Sequence, residues 1–170
     1  MRFLISLLFS LTLAMGVTAQ KYALIDMEYI LDNIPAYERA NEQLNQVSKK
    51  WQAEVEAVDK AAKTLYKNYQ NEVVFLSEQQ KKEREEAIIA KEREASELRK
   101  KYFGPEGLLY MMRIALIVPI QEEIYNAVKG IAQQKGFQLV IDRASNNGII
   151  FASPSIDISA EVLEKLGYAR

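Results

Sequence analysis

The chain has 170 residues, 26% charged and 49% hydrophobic, with a net charge of −1 and a pI near 5.7. It contains no cysteine and no histidine, which removes disulfides, thiol nucleophiles, the usual metal ligand and the usual general base at neutral pH. The balanced charge leaves no global basic footprint for nucleic acid.

At the N-terminus, Arg2 precedes an apolar run from Phe3 toward Val17, and small residues end at Val17-Thr18-Ala19. This reads as a secretory signal peptide over residues 1–19, cleaved before Gln20. Export without cysteine fits a bacterial periplasm, where stability comes from packing alone. KYALIDMEYIL (Lys21–Leu31) then opens with an alternating strand pattern over Tyr22–Asp26, and Pro35 suits the first turn of a following helix.

From Ala36 to Phe103 there is no Gly or Pro. Apolar or small residues recur at Tyr37, Ala40, Leu44, Val47, Trp51, Val55, Val58, Ala62, Leu65, Tyr69, Val73 and Leu76 in steps of three and four. That narrow seam predicts a long helix whose partner is another helix. A reversal is expected near Phe75–Glu78, with Ser77 and Gln80 as a capping box, and residue 77−k of the first helix opposite about 77+k of the second. The second helix is far more polar, with a thin seam of Ala87, Ile88, Ala95, Leu98 and Tyr102, so the tip half is expected to bend and fray. Acid–base pairs at i,i+4 (Glu56–Lys60, Asp59–Lys63, Glu78–Lys82, Glu97–Lys101) are expected to support the helices.

GPEG (Gly104–Gly107) breaks the return helix and reads as a hinge carried by Gly104, Pro105 and Gly107. Leu108–Ile120, with Arg113 its only charge, is too short to span a bilayer and suits a core or subunit contact. No later segment is expected to span either. Pro119 opens or kinks a further helix ending at Gly136. FQLVID (Phe137–Asp142) and GIIFA (Gly148–Ala152) read as strands around an Asn146-Asn147-Gly148 turn, and Ser159 as the cap of a last helix, Ala160–Leu166. The expected fold is mostly α with a small β body. A long antiparallel coiled-coil hairpin (36–107) is inserted into a β-rich oligomerisation domain made of 20–35 and 108–170. That body is thin, so Ile149, Ile150 and Phe151 are expected to need a partner subunit.

No catalytic, cofactor or metal constellation is present: there is no phosphate loop, nucleophile elbow or calcium loop. Adjacent carboxylates such as Glu85/Glu86 do not face each other on a helix, and Asp142-Arg143 reads as an ion pair or a turn. The candidates that stand out are Tyr66, Tyr69, Val73, Val74 and Phe75 near the tip. Exposed apolar patches mark binding surfaces; the same residues would also serve to lock the tip.

In order along the whole mature chain, KYALIDMEYIL, IQEEIYNAVKGIAQQKGFQLVIDRAS (Ile120–Ser145) and DISAEVLEKL (Asp157–Leu166) resemble the Skp/OmpH family of periplasmic chaperones. GPEG and SPSIDIS resemble its Bacteroidetes-type branch. The resemblance implies a homotrimer with a central β body. Its helical arms hold unfolded outer-membrane proteins without ATP, with no cofactor and no enzymatic activity. The family's proteobacterial members are strongly basic and meet acidic clients and lipopolysaccharide. Here residues 36–103 hold 14 Lys and Arg against 13 Asp and Glu, a net of +1. Client attraction should therefore rely less on charge, and lipopolysaccharide or membrane-surface contact is the weakest implied partner. A coiled-coil spacer or adaptor of an envelope complex is the competing reading.

Overall fold

The computed structural model describes residues 21–145 and 148–168. The expected signal peptide and the two asparagines of the expected turn lie outside the described residues. In chain order come β1 (Lys21–Ile25), α1 (Met27–Asp32), α2 (Pro35–Glu72), a 3-10 turn (Val73–Phe75), α3 (Glu78–Phe103), α4 (Leu108–Lys135), β2 (Phe137–Asp142), a second 3-10 turn (Pro154–Ile156) and α5 (Ser159–Lys165). The described residues form two compact units: Leu31–Tyr125, and residues 21–30 together with 126–168.

In the first unit, α2 runs 38 residues, about 57 Å at 1.5 Å per residue. All twelve residues of its expected seam are buried or half-buried. α3 returns antiparallel and buries Ile88, Ala95 and Tyr102 at strict seven-residue spacing, with Leu98 half-buried. Ala87 is exposed instead, because it falls off that line; Lys81 and Lys91 are half-buried on the seam, laying their aliphatic stems along it. The pairing is close to the expected register. The Tyr69 hydroxyl donates to the Glu85 carboxylate, Arg84 meets Glu72 at 3.4 Å, Arg99 meets Asp59 at 2.7 Å, and Trp51 stacks on Tyr102 at 4.7 Å between ring centroids and 1° between planes. Asp59 and Glu97 thus pair with Arg99 and Arg93 rather than with Lys63 and Lys101, since guanidinium groups reach the carboxylates in better geometry.

α4 runs unbroken through Pro119, so the proline sits inside the helix and removes one backbone hydrogen bond rather than starting a new element. Ile117 packs with Ala40 and Leu44, ringed by Tyr37, Leu109, Met112 and Leu116. Leu109 and Leu116 continue the seven-residue line of Ile88, Ala95 and Tyr102. The GPEG break therefore interrupts the backbone ladder without shifting the seam.

In the second unit, β1 pairs with β2 in parallel, Tyr22 opposite Leu139 through Ile25 opposite Asp142. Ala23, Leu24 and Ile25 are all buried, so β1 reads as a consecutive apolar run rather than an alternation, as covered parallel strands do. The sheet has two strands, not three. Gly148–Ala152 forms no strand, and on the far edge of β1 Leu24 bridges to Asp157 instead. The Asp157 carboxylate accepts from the Ser159 N–H at 2.9 Å, so α5 starts one residue earlier than expected, with Ser159 inside it.

The Asp142 carboxylate accepts from the N–H of Met27 at 3.0 Å and of Ala144 at 3.1 Å. Partial burial pushes its pKa up, but these bonds and those from Ser145 outweigh burial and hold it below the ordinary 3.8. A lowered carboxylate contributes stability that is present above its unfolded pKa and is lost as pH falls through the folded one. Acid titration below about pH 4 should therefore weaken the second unit. In Asp142→Asn that extra acid sensitivity should be gone and neutral-pH stability reduced; equal acid midpoints for the two chains, followed by circular dichroism, would refute this.

Candidate functional site

The end of the hairpin is built by three local devices. Val73–Phe75 close α2 with a 3-10 turn. Ser77 then caps α3: its hydroxyl accepts from the Gln80 N–H at 3.3 Å, and its own N–H donates to the Gln80 side chain at 2.9 Å. Across the helices, Tyr69–Glu85 and Glu72–Arg84 tie the two strands of the tip together. The bond to Glu85, then burial, raises the Tyr69 phenol above its ordinary pKa of 10.0 and keeps it a donor.

This geometry divides the five tip candidates. Tyr66, Val74 and Phe75 are exposed, Val74 by 79% and Phe75 by 85%, so the turn presents two large apolar side chains to solvent. Tyr69 and Val73 are half-buried on the seam and hold the tip closed. Ile89, at 62% exposure, joins the exposed set. Sequence reasoning passed over it because it stands next to the seam residue Ile88.

At the break, the Gly104 N–H donates to the Lys100 carbonyl at 3.0 Å and the Gly107 N–H to the Gly104 carbonyl at 2.9 Å. A Cβ on Gly104 would lie 2.4 Å from the Lys100 oxygen, and one on Gly107 would lie 2.8 Å from the Tyr102 oxygen. Both positions need glycine for space. Pro105 is exposed between them. Nearby, Tyr102 is raised above its ordinary pKa by burial first and by Glu54 second.

In the second unit, Ile150 is 100% and Phe151 85% exposed, while Ile149 is half-buried. Arg143 meets Asp26 at 3.0 Å and Asp157 at 3.5 Å, and Asp26 takes the Ser159 hydroxyl as acceptor for its N–H at 2.8 Å. Asp142 and Arg143 thus serve the ends of the sheet, and the open cavity of about 390 Å³ beside Arg143 is lined by already paired charges. Among the described residues, no cluster of three or more acidic side chains is placed to hold a metal ion.

Leu108–Ile120 divides between core and surface. Ile117 and Ile120 are buried, but Leu108, Tyr110, Met111, Ile114 and Val118 are exposed, as is Tyr125 beyond them. Taken as one segment, Glu78–Lys135 contains a stretch long and apolar enough, by length and composition alone, to cross a membrane.

Residues 21–166 match the family described as outer membrane protein (OmpH-like). The chain belongs to that family. It is 26% identical over 161 residues to the chaperone protein Skp of Yersinia enterocolitica, a match covering 95% of this chain and 94% of that one. An OmpH-like chain of known structure from Caulobacter crescentus shares the fold with a TM-score of 0.67 at 12% identity, over 89% of this chain and 86% of the other. The OmpH-like fold here is thus a long antiparallel helical hairpin and a small parallel two-stranded sheet in one chain.

Proposed function

We propose that this chain is a periplasmic holdase: it binds unfolded outer-membrane proteins between helical arms, without ATP, and keeps them from aggregating in transit. The observation that carries the reading is the tip, where Val74 and Phe75 stand in solvent at the end of an arm belonging to the OmpH-like family. A folded soluble protein gains nothing from such exposure, whereas an unfolded chain offers apolar segments to cover it. Many weak contacts on a long arm also suit clients of no fixed shape.

The working form is a homotrimer, with residues 36–107 as the arm and residues 20–35 and 108–170 as the body. Support comes from Ile150 and Phe151, apolar side chains in solvent in a segment of strand composition. Sedimentation should find no stable folded monomer at micromolar concentration. To test the activity, a urea-unfolded outer-membrane β-barrel is diluted into the mature protein without nucleotide. Suppressed light scattering near one trimer per client is expected; unabated aggregation would leave a coiled-coil spacer as the reading.

The GPEG segment acts as a hinge in the arm. It opens the helix ladder while the seam continues in phase, so α3 and α4 can tilt without losing their packing line. Replacing Gly104–Gly107 by four alanines lets α3 run into α4. Spin labels at the tips should then report a narrower arm-to-arm distance distribution, and the range of client sizes should narrow with it. An unchanged distribution would sink the hinge.

A further inference from the structure

α4 carries two apolar faces within the hairpin unit. One, with Leu109, Met112, Leu116 and Ile117, packs with Tyr37, Ala40 and Leu44 of α2. The other consists of Met111, Ile114, Val118 and Tyr125, exposed by 55%, 38%, 38% and 63%. At about 100° per residue these four fall within about 60° of one another, on the side of the helix away from α2. Their spacing of three, four and seven is that of a coiled-coil seam.

We propose that Met111, Ile114, Val118 and Tyr125 form a helix-to-helix seam with the same face of α4 in a second copy of this chain. The inference rests on the oligomer proposed above and adds a contact at the root of the arm. Three observations select a second copy over an unfolded client or a lipid bilayer. The heptad spacing matches a helical partner of equal period, and neither an unfolded chain nor a lipid has a period to match. From Met111 to Val118 the seam carries no charge, so parallel copies can place each of these residues beside its own equivalent without like-charge repulsion. Glu122, about 20° from Met111 around the helix, is the one charge at its edge, whereas a bilayer would have to accept Arg113, Glu122 and Glu123 together. Leu108 and Tyr110, also exposed, flank the seam on its two sides and add to the apolar surface that a second copy would cover.

The cysteine-free chain makes the test direct. Single cysteines are placed on the seam (Ile114→Cys, Val118→Cys) and at exposed positions off it (Arg113→Cys, Glu123→Cys) in the full mature protein. Disulfide-linked dimers should form at least tenfold faster at the seam positions, and Met111→Cys and Tyr125→Cys repeat the comparison should either first variant perturb the helix. Equal rates on and off the seam overturn the proposal. If sedimentation still shows an oligomer, only the seam falls; a monomer removes the oligomer as well. Seam cysteines that link to a single-cysteine, urea-unfolded barrel protein but not to each other also overturn it, and assign the face to clients. Protection of the seam cysteines only in the presence of phospholipid vesicles overturns it in favour of a membrane contact.

Discussion

Ile88→Asp is expected to unzip the outer half of the hairpin while its root stays folded. Ile88 is the single large apolar residue buried by α3 between the tip and Ala95. The register set by Tyr69–Glu85 and Asp59–Arg99 places it opposite the stretch from Leu65 to Tyr69. Truncating a buried Ile to Ala costs about 2–5 kcal/mol. An aspartate adds a carboxylate with no cation built to receive it, so the cost should exceed that range. What remains outside Ala95 is mostly surface-exposed polar contact, and exposed ion pairs such as Lys82–Glu86 contribute about 1 kcal/mol or less each. Amide hydrogen exchange should lose protection over roughly Ala62–Glu94, while residues around the Trp51–Tyr102 stack and the Ala40–Leu44–Ile117 cluster keep theirs. Unchanged protection between Tyr66 and Glu85 would show that the tip is held by something other than this seam.

The second large effect is on activity with none on stability. In Val74→Asp combined with Phe75→Asp, two side chains that are already in solvent become charged. Neither contributes to the packed seam, so the melting temperature should move by no more than about 1–2 °C. Fully burying two such side chains against a client is worth about 3–6 kcal/mol, and partial burial a fraction of that; each 1.4 kcal/mol is a factor of ten. The concentration needed to suppress aggregation of an unfolded barrel protein should therefore rise about tenfold or more. An unaltered suppression curve would move client capture away from the tip. Loss of activity accompanied by a large drop in melting temperature would mean that the residues are structural.

The long seam of α2 was legible because it repeats eleven steps without a Gly or Pro, and no other secondary structure produces that pattern. The tip was legible too, since Ser77 and Gln80 form a local motif that needs no tertiary context. What escaped is non-local. β1 was misread as alternating because both of its faces are covered, burying Ala23, Leu24 and Ile25 in succession, and its partner strand lies more than a hundred residues away. GIIFA has strand composition, but composition does not supply an edge to pair with. For the site, the pattern could name Tyr66, Tyr69, Val73, Val74 and Phe75 but could not separate those that point out from those that lock in. That depends on the exact register across the hairpin. Leu108–Ile120 was legible as apolar, but which of its side chains turn in and which stay out depends on the packing against α2.

The pairing of β1 with β2 fixes an order of events. Lys21 must find Phe137, and the whole hairpin lies between them. Closing so long a loop from an open chain is entropically costly and slow. Folding the hairpin first collapses most of that loop into a unit made of contacts nearer in sequence. The first strand to be synthesised is thus among the last elements to be satisfied, and its apolar Ala23-Leu24-Ile25 stays unpaired by β2 until the chain has grown past Asp142. Pulsed hydrogen exchange during refolding should therefore protect α2 and α3 before Lys21–Ile25, and simultaneous protection would rule that order out. A protein read here as a guardian of unfolded chains passes through an interval in which it exposes the kind of segment such a guardian covers.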